Sequence, residues 1–92
     1  MTTVGRSILK RRTAQHVGVP KSFEAAAKAL GKRLKQLRQR KGWSQERLAN
    51  EAGMHRTYMW GIERGVRNPS LRHLACIAEA LDVPIAALFE TD

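Results

Sequence analysis

Cysteine occurs once in these 92 residues, as Cys76. A single thiol can build neither an intramolecular disulfide framework nor a zinc cluster. The expected compartment is therefore a reducing cytoplasm, and Cys76 reads first as a small apolar residue on a packed helix. No apolar run is long enough to span a membrane, and the first residues lack the apolar core of a signal peptide. Three His, one Cys and dispersed acids offer neither metal-ligand spacing nor a base–nucleophile pair. Enzyme activity, metal and cofactor are accordingly not expected. There is no internal repeat, no low-complexity tract and no strand signal.

Acid is missing from two stretches. Residues 1–22 hold five Lys and Arg and residues 28–41 hold seven, with no Asp or Glu in either, whereas residues 42–92 set five Arg against seven acids. The formal net charge of +9 is thus loaded toward the front of the chain, and one end of the molecule should attract a polyanion while the other avoids it. Residues 1–21, with Arg6, Lys10, Arg11, Arg12 and Lys21 among scattered Gly and Pro, read as a basic, disordered N-terminal arm. Residues 22–92 are room for one domain of modest core, which dimerisation would help to stabilise.

Within that domain helix signals follow one another. Ser22 is predicted to cap a long first helix reaching Lys41, with Phe23, Ala26, Ala27, Leu30, Leu34 and Leu37 at helical spacing and Gly42 as the stop. Lys28, Lys32 and Lys35 fall on the opposite face, while Arg33, Arg40 and Lys41 flank the stripe. Ser44 caps a second helix from Gln45, with Trp43 and Leu48 as a hydrophobic staple. His55, a weak capping residue, opens a third helix that ends at Arg64-Gly65. Ser70 caps a fourth, whose buried face is Leu71, Leu74, Ile77, Ala78 and Leu81. Pro84 suits the first turn of a short fifth helix through about Phe89.

The stretch Gln45–Ile62 organises the rest. Leu48, Ala52, Met54, Met59 and Ile62 can share one interior, Ala49 is small where two helix axes approach, and Gly53 stands where the turn needs positive φ. Two short helices joined by such a turn have the spacing of a helix-turn-helix, whose second helix enters the DNA major groove.

Residues from about Leu30 to Phe89 resemble the lambda-repressor-like, Cro/xenobiotic-response-element type of helix-turn-helix domain, an all-α five-helix bundle found in phage repressors, restriction–modification controllers and many antitoxins. The elements that carry the resemblance are Ser44-Gln45-Glu46-x-Leu48-Ala49, Gly53-Met54, Ile62-Glu63-Arg64-Gly65, Arg67-Asn68-Pro69-Ser70 and Leu74-x-x-Ile77-Ala78-x-x-Leu81. It implies that Gln45 holds a phosphate and braces the recognition helix, and that Arg38 and Glu63 form a buried ion pair between the first and third helices. It places Arg56, Thr57, Trp60 and Gly61 outward on the recognition helix, with Arg64 a turn further. Arg64, Arg67 and Asn68 then lie where the loop approaches phosphates, and Tyr58 lies partly against the second helix with its hydroxyl toward the backbone. His55 either donates to a phosphate or is incidental. Trp60 either meets thymine methyls and sugars or packs against Arg56, Arg64 or a protein partner. Gly61 departs from the family pattern, because it can read no base. Val83, Ile85, Leu88 and Phe89 supply apolar area for a two-fold interface, or simply close the core.

The function these features imply is a sequence-specific regulator that binds double-stranded DNA at a palindromic operator as a homodimer. The alternative is an antitoxin of the same fold that neutralises a toxin partner and regulates its own operon. In either, the basic arm follows the DNA backbone or a minor groove, or else is a solvated tail adding non-specific attraction.

Overall fold

The computed structural model describes residues 21–90. They form α1 (Lys21–Arg40), α2 (Gln45–Ala52), α3 (Arg56–Glu63), α4 (Leu71–Leu81) and a 3-10 helix (Ile85–Phe89). The expected all-α bundle is present, its fifth element being the tighter 3-10 form, with Pro84 just ahead of its first residue. Residues 1–20 of the predicted arm lie outside the described residues. The boundary drawn after residue 21 falls inside α1.

In α1, Ala27, Leu30, Leu34 and Leu37 recur every three or four residues and are buried. Ser22 lies within this helix and is not its N-cap. Ala26 is exposed and Phe23 only half-buried, so the packed stripe is narrower at its start than the spacing suggests. Arg33, which the pattern puts at the flank of the stripe, is buried instead. Its Nε donates to the Ala87 carbonyl at 2.8 Å and its Nη2 reaches Glu90 Oε1 at 3.4 Å. A guanidinium tolerates burial where a carbonyl accepts its N–H, and the 3-10 helix supplies one from 54 residues away.

The connections follow local chemistry. Ser44 accepts a hydrogen bond from the Arg47 N–H at 3.0 Å, and Ser70 accepts one from the His73 N–H at 3.1 Å. Gly53, at φ 70°, closes α2 with its N–H on the Ala49 and Asn50 carbonyls. Asp82 closes α4 in the same left-handed region, at φ 61°, which a short polar side chain tolerates. Leu71 is not part of the buried face of α4, being 72% exposed. As the first helical residue its side chain leans back beyond the packed turns.

Every element sends a fully buried side chain to the core: Leu34 from α1, Leu48 from α2, Met59 and Ile62 from α3, Ile77 from α4 and Leu88 from the 3-10 helix. α2 packs on α3 and α4, and α1 packs on α3 and the 3-10 helix. The α1–α3 crossing is backbone on backbone at Gly31. A Cβ there would overlap the Glu63 carbonyl oxygen and stand 2.7 Å from both Glu63 C and Ile62 O. An interior helix glycine costs about 1 kcal/mol against Ala, and that cost is the one sequence signal of this approach.

Candidate nucleic-acid interface

α3 is held by α1 and α2 through one carboxylate. Glu63 accepts from Arg38 Nε at 2.7 Å on Oε2, and on Oε1 from Arg38 Nη2 and Gln45 Nε2, each at 2.9 Å. The fork–fork geometry is the one a guanidinium makes best with a carboxylate. Arg38 Nη1 donates further to the Trp43 carbonyl at 2.9 Å, which ties in the α1–α2 connection. The two charged side chains are 10% and 3% exposed, so this is a buried pair. The hydrogen bond to Glu63 raises the Arg38 pKa above its ordinary value. Burial works against it, and the nearby negative charge adds to it. Gln45 thus spends one amide N–H on bracing α3, and a phosphate can be met only by its second N–H or by backbone N–H groups at the start of α2.

Beside this brace, Trp43 is half-buried against the core, and its ring carries Lys41 Nζ and Arg47 Cζ, each 4.7 Å from the centroid. Two cations are thereby stationed near the N-terminus of α2.

On α3 itself, His55 occupies the N-cap position with extended backbone, but its side chain makes no capping hydrogen bond. Arg56 and Thr57 are exposed. Arg56 Nη1 stands 3.6 Å from Glu46 Oε1 of α2, a solvent-exposed pair that a base could replace at little cost. Trp60 is 47% exposed, and Arg64 Cζ lies 4.8 Å from its ring centroid. The indole thus carries Arg64 and still leaves about half of its surface exposed.

Two residues have partners that the helical spacing does not foresee. Tyr58, half-buried against the core, also meets the start of α4: its ring meets His73 edge-on with centroids 4.9 Å apart, and its hydroxyl donates to the Asn68 carbonyl at 3.5 Å. Its place on α3 faces the incoming N-terminus of α4, where His73 is itself held by Ser70. Gly61 is covered on its outward side. It is buried under the side chain of Arg67, whose Cγ would overlap a Cβ at residue 61. Arg67 and Asn68 are exposed. Among the predicted interface residues Leu88 is fully buried in the core, whereas Val83 and Ile85 are half-buried and Phe89 is 58% exposed. Leu88 is already spent on the single bundle and has no surface to offer a second copy.

A turn-linked helix pair whose second member is braced from behind and exposes Arg56, Thr57 and Trp60 in front defines a helix-turn-helix DNA-binding domain. The chain belongs to the helix-turn-helix domain family, whose model matches residues 29–90. It is 39% identical over 62 residues to the HTH-type transcriptional regulator SinR of Bacillus subtilis, an alignment covering 66% of this chain and 56% of SinR. The crystal structure of the restriction–modification controller protein C.AhdI from Aeromonas hydrophila superposes with a TM-score of 0.70 at 46% identity, covering 71% of this chain and 98% of that one. A crystal structure of SinR in complex with DNA superposes with a TM-score of 0.63 at 39% identity, covering 66% of this chain and 98% of that one. The chain spans about half the length of the curated relatives it matches. These relatives are a transcriptional regulator and a restriction–modification controller protein. No helix among the described residues is long and apolar enough to cross a membrane.

Proposed function

We propose that this protein is a sequence-specific transcriptional regulator that works in the cytoplasm, occupying a palindromic DNA operator as a homodimer. The observation that carries the reading is the brace on Glu63, which fixes α3 to α1 and α2 while leaving Arg56, Thr57 and Trp60 free of the core. Arg56 is the guanine reader, with two hydrogen bonds to O6 and N7. Thr57 and the edge of Trp60 meet thymine methyls or sugars. Gln45, His55, Arg64, Arg67 and Asn68 surround this face and hold phosphates, positioning the helix without reading sequence. Tyr58 supports the interface from the α4 side.

One domain of this size reads about half a site, so two copies related by a two-fold axis, with recognition helices about 34 Å apart, are the economical route to specific affinity. Val83, Ile85 and Phe89 form the proposed interface. The antitoxin alternative would use an exposed Trp60 or the apolar C-terminal face as its partner surface, and the stacked Arg64 weakens the first of these. Selection of bound duplexes from a random pool tests the reading. The expected result is a palindrome of two half-sites at one spacing; enrichment of no sequence at all would refute it.

A further inference from the structure

We infer that Gly61 is a positioning residue: it is the seat across which Arg67 lies, and it thereby fixes the Arg67 guanidinium beside α3 as a clamp for a DNA backbone phosphate. This rests on the DNA-binding reading above and assigns residue 61 a task that its lack of a side chain would otherwise deny it. Helical spacing puts Gly61 with Thr57 and Trp60, yet Gly61 is buried, and the three atoms that a Cβ would meet first all belong to Arg67. Such a Cβ would overlap Arg67 Cγ and stand 3.3 Å from Nε and 3.4 Å from Cδ. The stem therefore runs over the bare backbone of α3. Its guanidinium continues toward the Tyr58 ring, one turn nearer the N-terminus, with Cζ 5.8 Å from the centroid. Tyr58 in turn meets His73 and the Asn68 carbonyl, so the far end of the track rests on a ring with partners of its own.

The side chain is exposed, and no carboxylate among the described residues pairs with it. Its donors are free for a ligand. They lie on the flank of α3 that faces α4, whereas Arg56 stands at the helix start that enters the groove first. A planar cation with an immobilised stem at the edge of a base-reading surface suits a phosphate oxygen of the groove wall.

The test uses the full chain, the duplex selected by the wild-type protein and a scrambled duplex of equal length, with Gly61→Ala, Arg67→Ala and the double variant. Each single change is expected to weaken binding to both duplexes about tenfold, leaving their ratio unchanged. The double variant should also lose only about tenfold, where independent losses would give about a hundredfold. The slope of log affinity against log salt should fall by about two per dimer, one phosphate per protomer. Gly61→Ala should unfold at no lower temperature than wild type, since alanine favours the helix. Wild-type affinity for Gly61→Ala, multiplying losses, an unchanged salt slope or a changed specificity ratio would each overturn the seat. A wild-type protein that binds neither duplex would instead overturn the DNA-binding reading, and this proposal with it.

Discussion

Arg56 and Lys35 carry the same charge but should not do the same work. Arg56 opens the exposed face of α3, and its contact with Glu46 is a weak surface ion pair. Lys35 is exposed on α1, on the face away from its Leu stripe. Arg56→Ala is expected to relax discrimination at one base position per half-site, by the about 1–3 kcal/mol that a bidentate guanine contact supplies. Lys35→Ala should leave the ratio of specific to scrambled binding unchanged. Competition binding with single-base operator variants checks both, and an unaltered ratio for Arg56→Ala would remove it from the base readers. Single residues were also where sequence pattern misled. Helical spacing shows which way a position points but not what arrives from elsewhere, so it could not foresee that Arg67 would cover Gly61 or that the Ala87 carbonyl would draw Arg33 inward. Leu71 and Ala26 erred the other way, since a stripe continues in sequence past the point where its partner helix stops.

At the scale of elements the structure depends on how α1 meets α3. Gly31→Ala would push a methyl group into the backbone of Ile62 and Glu63, which cannot swing aside as a side chain can. Overpacking of that kind costs about 1–3 kcal/mol, against a gain in helix propensity of about 1 kcal/mol. Net destabilisation in urea titration is the expected outcome, and a more stable variant would show that the helices are not in backbone contact. Arg38→Ala leaves Glu63 charged and buried without its bidentate partner, a loss of about 3–5 kcal/mol. Adding Glu63→Gln should recover part of it. Titration of Arg38 should not tune stability near neutrality. A cation whose pKa is raised on folding contributes stability that is fully present below its ordinary value and is lost only as pH rises through the still higher folded value, here beyond any working range. Much of this level was legible in the chain. Ser44, Gly53 and Ser70 act through local hydrogen bonds and dihedrals that nearby residues decide, and each sits as predicted. Ser22 was not legible as an interior position, because a capping residue and a first-turn serine look alike in sequence.

For the whole molecule the governing quantities are charge and association. With about 6–10 phosphate contacts per dimer, affinity should fall by about 10³–10⁵ between 50 and 200 mM salt. A flat salt response in a filter-binding or anisotropy titration would contradict a phosphate-dominated interface. Phe89 lies on the rim of the bundle and is largely solvent-exposed in the single copy. Phe89→Asp is therefore expected to dissociate the proposed dimer while leaving the helical signal intact, measured by sedimentation and circular dichroism on the same sample. Loss of the fold would instead make Phe89 a core residue. The brace on Glu63 has a last consequence, for change over time. Its three donors come from Arg38 and Gln45, while Arg56, Thr57 and Trp60 take no part in it. The residues proposed to choose a binding site can thus be exchanged one by one without disturbing the joint that aims them, and a lineage built on this domain could acquire new operators without first losing its fold.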